Sequence, residues 1–149
     1  MLVGDVCNRD VVISDRNDLI LDAAKLMRHH HVGDVVVVEE RGGRYFPIGI
    51  LTDRDLVVEV LASDVTPETL LVGDVMSFEL VSAKEDESVL DAIKRMRDKG
   101  VRRMPVVSAD GALEGIITMD DLLDLIAEQL ADLVAMVGRG KRRESDRQT

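Results

Sequence analysis

The chain of 149 residues has no tryptophan, three other aromatic residues (Tyr45, Phe46 and Phe78) and a single cysteine, Cys7. One thiol excludes an internal disulfide, and with no histidine beside it Cys7 reads as a small apolar position. The shortage of aromatics means a core of Val, Ile, Leu, Met and Ala. It also leaves little for the base-stacking platforms of single-strand nucleic-acid binders. No run approaches the ~18 apolar residues that span a bilayer, and the first residues lack the basic-then-apolar plan of a signal peptide. A cytoplasmic protein is therefore expected. Positive charge is scarce too. The formal net charge of −10 repels nucleic acids and anionic membranes, so neither is an expected partner. Only the end, "GRGKRRESDRQT", runs the other way, with five basic against two acidic residues, leaving −13 on residues 1–137. A polar charged terminus of this kind is expected to be disordered.

Histidine occurs only in "RHHHV". Successive helical residues diverge by about 100°, so His29, His30 and His31 do not converge on one ion, and no further histidine exists to serve a serine or cysteine triad. No metal and no catalytic centre is expected. "GRGKRR" fails as a phosphate loop, because Ala135 and Arg142 stand where that motif needs glycine and a hydroxyl.

What the chain does have is a repeat. "LVGDV" stands at residues 2–6 and again at 71–75, and sliding the chain by 69 matches residues 2–38 with 71–107 at fifteen identical positions. Unrelated segments would give about three. The offset then shortens to 66, where "EERGGRYFP" has a briefer counterpart in "SADGAL", and "GILTDRDL" meets "GIITMDDL". Loops tolerate such changes of length. Each copy is too small to be more than marginal alone, so the pair is expected to fold as one body.

Periodicity assigns the same elements to both copies. "DVVIS" is a strand, "DLILDAAKLMRHH" a helix with Leu19, Ala23, Leu26 and Met27, and Ile20 nearby, on one face, "VVVV" a buried strand, "ERGGR" a turn, "PIGIL" a strand, and "TDRDLVVEVLA" a helix. The second copy repeats the order with "ELVS", "SVLDAIKRMRDK", "MPVV", "LEGIIT" and a helix from Met119. The fold class is α/β (α+β), two β-α-β-β-α units at 2–62 and 72–137. A linker at 63–71 carries Thr66 as N-cap with Pro67 at the first helical position, and the basic tail follows at 138–149. The last helix carries an apolar stripe of Leu122, Ile126, Leu130, Leu133 and Val137, ending at Gly138.

Both copies share one strand-to-helix junction, "GILTDRD" and "GIITMDD". Thr followed three residues later by an acid resembles a capping box, worth about 1 kcal/mol. The same geometry suits a nucleotide. A helix start with a threonine hydroxyl receives phosphate, and a nearby carboxylate suits ribose hydroxyls.

Two ordered copies, each ending in glycine, two aliphatics, Thr, two residues and Asp, resemble a pair of CBS domains of the stand-alone bacterial type. "VLDAIKRMRDKGVRRMPVV" followed by "GIIT" is especially similar to that family's wording. The resemblance covers about residues 2–126. It implies two units about a pseudo-twofold axis, a Bateman-type module, with clefts that in many members bind AMP, ADP, ATP, S-adenosylmethionine or dinucleotides such as NAD. It gives ligand-holding roles to Thr52, Asp55, Thr118 and Asp121. It places adenine near Val12 and Ile13, or Val81 and Ser82, and the start of the second strand, where the later copy has Arg102, Arg103, Met104 and Pro105. The earlier copy has Gly33, Asp34, Val35 and Val36 there. Arginines neutralise phosphate and Asp34 opposes it, so the Thr118/Asp121 cleft is expected to bind more tightly, with Arg54 compensating in the other. The resemblance further implies a homodimer and a regulated protein partner. Three readings follow: a nucleotide-sensing module without catalysis, a structural or interaction module whose junctions are only caps, and, with least support, a hydrolase using Asp55 or Asp121.

Overall fold

The structure, a computed structural model, describes residues 1–148, with side chains through residue 144. Residues 1–117 form one compact unit and residues 118–149 a second. The first contains nearly all of both copies. In copy one, α1 (Val3–Val6) is followed by β1 (Ile13–Asp15), α2 (Ile20–His30), β2 (Asp34–Arg41) and β3 (Arg44–Thr52). In copy two, α4 (Val72–Val75) precedes β4 (Ala83–Lys84), α5 (Val89–Lys99), β5 (Arg103–Val107) and β6 (Leu113–Thr118). Each copy makes a three-stranded sheet, in the orders β1-β2-β3 and β4-β5-β6. β1 is parallel to β2, β4 is parallel to β5, and β2 is antiparallel to β3. The connection between β2 and β3 is tight because Gly42 and Gly43 both take positive φ, which costs glycine nothing.

"LVGDV" turns out to be a short helix that each copy lends to the other. The amides of Val3 and Gly4 donate to the carbonyls of Glu87 and Glu85 at 2.8 Å, and those of Val72 and Gly73 donate to Asp18 and Arg16 at 2.8 Å. The acceptors are themselves equivalent residues of the repeat. Asp5 and Asp74 close the helix starts, accepting from the amides of Leu2 and Leu71 at 3.3 and 3.0 Å. The chain then crosses to the neighbouring sheet. Asn8 exchanges backbone hydrogen bonds with Ile116 at 2.9 and 2.8 Å, and Ser77 does so with Ile50 at 2.9 and 3.3 Å.

The "VVVV" strand shows why both faces of β2 are apolar. Val35 and Val37 pack with Ile20, Ala23 and Met27 of α2, and with Val72 and Met76 lent by copy two. Val36 and Val38 pack against Ile116 of the other sheet. Burying one such side chain contributes about 2 kcal/mol. Leu19 departs from the expected helix face: it is 42% exposed and Ile20 takes the buried place, because Leu19 is the N-cap, with extended backbone, rather than a helical residue. His31 is explained by the end of the same helix. It adopts the left-handed conformation (φ 54°) that Gly100 takes after α5 (φ 66°), and all three histidines are exposed.

Two expected helices differ. After Thr52 there is one α turn, α3 (Asp53–Asp55), and then π-helix from Leu56 to Leu61. Here Ala62 donates to Val57 at 2.9 Å, five residues back. At the linker, Thr66 does not cap with its side chain, and only a 3-10 turn, Pro67–Thr69, forms. The chain then extends, and the Leu70 carbonyl accepts from Ile20 at 3.0 Å.

The second unit is α6 (Met119–Gln148), which runs through Gly138 without the positive φ of a helix stop. A helical glycine costs only about 1 kcal/mol, and Arg139, Lys141, Arg142 and Arg143 suit the negative end of the helix dipole. The helix continues through the basic tail as far as Gln148. Its side chains from residue 145 on, and Thr149, lie outside the described residues.

Arg44 at the start of β3 pairs with Asp110 in the turn before β6, and Asp110 also accepts from the Ser108 hydroxyl. These bonds join the two copies' turns and hold the Asp110 carboxyl at about 2, below its ordinary 3.8. Because the native state holds this proton more weakly than the unfolded chain, the contribution is complete above pH 3.8 and vanishes as pH falls through 2. Asp110→Asn is expected to flatten the part of the acid-unfolding profile between about pH 4 and pH 2, read by circular dichroism.

Candidate functional site

The two junctions are built alike but finished differently. At the first, the Asp55 amide donates to Thr52 Oγ1 at 3.1 Å and the Thr52 amide donates to Asp55 Oδ2 at 2.9 Å. That is a complete capping box, so Asp55 is already engaged. At the second, the Asp121 amide donates to Thr118 Oγ1 at 3.1 Å. The exposed Asp121 carboxylate accepts no hydrogen bond among the described residues.

Within residues 1–117 the first junction opens on a cleft of about 520 Å³, inside the usual range for small-ligand sites. One part of its lining is apolar: Ile50, Leu80, Val81 and Val101. Thr52, Arg54, Arg102 and Arg103 line it as well. The two arginines of copy two thus line the cleft that opens at the junction of copy one. The cause is the crossing of the chain. Pairing of Ser77 with Ile50 lays the segment leading to Val81 beside the end of β3.

Arg103 and Asp34 occupy equivalent positions in the two copies, and they meet. Arg103 Nη1 lies 3.2 Å from Asp34 Oδ2 and donates to the Gly33 carbonyl at 3.5 Å. Burial pushes the Asp34 carboxyl above its ordinary value, Arg103 draws it back, and Asp53 pushes it up. Arg54 and Arg102 have no ion-pair partner among the described residues.

The other candidates are distributed as follows. Met104 and Pro105 are fully buried in β5 and are not part of the cleft lining. Val81 lines the cleft, whereas the Ser82 carbonyl accepts from Arg95 Nη2. The Val12 carbonyl accepts from Val36 at 2.9 Å. Its side chain packs against the α2 cluster and that of Ile13 against Val36 and Val38. Asp55 lines a neighbouring cavity of about 430 Å³ with Glu59 and Asp74. Asp53 and Glu79, not anticipated from the sequence, add two carboxylates to the cleft. An acid at the first position of a capped helix was the available signal for Asp53.

The comparisons agree with this architecture. The model of the CBS domain matches twice, at residues 3–62 and 72–128, and the chain belongs to the CBS domain family as a tandem pair. The protein MK0525 of Methanopyrus kandleri is 41% identical over 123 residues, covering 83% of this chain and 61% of that protein. The CBS domain-containing protein YhcV of Bacillus subtilis is 37% identical over 120 residues, 80% of this chain and 81% of YhcV. Among solved structures, the CBS domain pair of protein MJ0100 in complex with 5-methylthioadenosine and S-adenosyl-L-methionine aligns with a TM-score of 0.75 at 26% identity. The alignment covers 87% of this chain and 98% of that one. A hexameric CBS-CP12 protein from bloom-forming cyanobacteria aligns at 0.71 and 26%, over 83% of this chain and 66% of that one. No helix among the described residues is long and apolar enough to cross a membrane.

Proposed function

We propose that the chain is a regulatory module that binds an adenosyl ligand, such as AMP, ADP, ATP, S-adenosylmethionine or NAD, in the cleft beside Thr52. The observation that carries this reading is the mixed lining of the cleft, apolar side chains together with three arginines. Ile50, Leu80, Val81 and Val101 suit a flat apolar base, and Arg54, Arg102 and Arg103 suit phosphates. The Thr52 hydroxyl accepts from Asp55 and keeps its own proton to donate. The adenosyl ligands of the MJ0100 pair support the same class. Asp55 serves mainly as a cap there, its carboxylate being engaged by the Thr52 amide. Ligand binding ties together residues of both copies, and a regulated protein reads the result. The chain acts as a homodimer, in the cytoplasm, without catalysis.

The complete box at Thr52 and Asp55 favours a second reading, a structural or interaction module that needs no ligand. Differential scanning fluorimetry with AMP, ATP, S-adenosylmethionine and NAD separates them. A ligand at 100 times its dissociation constant adds about 2.7 kcal/mol, a rise of about 8 °C for a chain of this size. Arg102→Ala should reduce the shift for phosphate-bearing ligands most. Unchanged melting with all four would leave the structural reading.

A further inference from the structure

α6 carries a long and regular apolar stripe. Met119, Leu123, Ile126, Leu130, Leu133, Val137 and Gly140 follow one another at spacings of four and three, alternating without a break, which is the d and a pattern of a coiled-coil seam. The six larger side chains are between 40% and 60% exposed. Leu122, from the expected stripe, is buried at 6% and lies outside this seam. Of the four flanking positions between Leu123 and Val137, three are Ala127, Val134 and Met136 and one is Gln129. Over this stretch, no charge opposes close approach.

Charge along the helix selects the direction of pairing. Its first half carries Asp120, Asp121, Asp124, Glu128 and Asp132 and no base, and its later part is net basic, with Arg139, Lys141, Arg142, Arg143 and Arg147 against Glu144 and Asp146. A parallel copy would set acid on acid and base on base. An antiparallel copy sets each half against its opposite.

We propose that α6 pairs antiparallel with α6 of a second copy of this chain. The register that matches charge as well as seam puts Leu130 against Leu133 of the other helix, Ile126 against Val137 and Leu123 against Gly140, each layer occurring twice about the twofold axis. Asp120 then faces Lys141 across the flank at both ends. The paired stretch is about 27 Å long at 1.5 Å per residue. This inference concerns unliganded protein and does not depend on the adenosyl reading.

The test uses the full chain with Cys7→Ser, without nucleotide. Chains carrying Leu130→Cys are mixed with chains carrying Leu133→Cys and oxidised gently. A disulfide between the two kinds of chain is expected, and little between Leu130→Cys chains alone. Efficient linking of Leu130→Cys chains to themselves would mean a parallel pair and overturn the proposal, as would no linking in either case. Sedimentation equilibrium supplies the second arm. Lys141→Glu should raise the dissociation constant about tenfold, two ion pairs being lost, and Asp120→Lys together with Lys141→Glu should restore it. Failure of that restoration, with unchanged helical circular dichroism, counts against the register.

Discussion

Gly115→Ala is expected to lower the melting midpoint by about 9 °C, a loss of roughly 3 kcal/mol, in a differential scanning calorimetry trace of the unliganded protein. A methyl group at Gly115 would lie 2.7 Å from the Asn8 carbonyl oxygen and 2.8 Å from Cys7 Sγ. Neither neighbour moves cheaply, because Asn8 is held to Ile116 by two backbone hydrogen bonds. Gly49→Ala should behave alike, since its methyl would meet the Ser77 carbonyl oxygen at 2.6 Å. These glycines open "GIIT" and "GILT", so the repeated glycine reflects the passage of the other copy's backbone. Gly138 supplies the contrast. Nothing lies within 4 Å of a methyl group there, and Gly138→Ala should raise stability by about 0.5 to 1 kcal/mol through helix propensity alone. Equal midpoints for Gly115→Ala and the parent would refute the close-approach account.

Arg103→Ala is expected to weaken binding of a phosphate-bearing adenosyl ligand by about ten- to a hundredfold in titration calorimetry, the range for hydrogen bonds to a charged group. It also strips Asp34 of its partner. The Asp34 carboxyl already sits above its ordinary value, chiefly from burial, and losing Arg103 raises it further. With the native state holding the proton more tightly than the unfolded chain, Asp34 stabilises fully below its unfolded value and loses that contribution as pH rises through its folded one. In Arg103→Ala the loss should extend to higher pH, and adding Asp34→Asn should abolish the difference. Unaltered affinity in Arg103→Ala would remove the arginine from the ligand site.

The repeat, the order of strands and helices and the junction threonines were legible because periodicity and turn residues are local properties. β6 and the start of α6 fall where spacing places them. The short helices of "LVGDV" were not, since four residues carry no periodicity and their hydrogen-bond partners lie more than fifty residues away. The same non-local crossing left open in the sequence which copy's cleft Arg102 and Arg103 enter. Alignment shows which residues are equivalent, but which copy's cleft they enter depends on how the arms cross. The π-helix after Asp55 was equally out of reach, because "LVVEVL" has an ordinary helical composition.

Because each half of the molecule is completed by a segment belonging to the other, the joint at residues 63–71 acts as a tether and not a strut. Its stretch from Ser63 to Thr66 is exposed and Asp64 already takes a positive φ. Lengthening a tether costs only about 0.6 kcal/mol for each doubling. The halves are held in register by the arms themselves, so the joint supplies only proximity, a high local concentration of one half around the other. Such a hinge point tolerates insertion, and a break in it leaves two pieces that still carry all the instructions for finding one another.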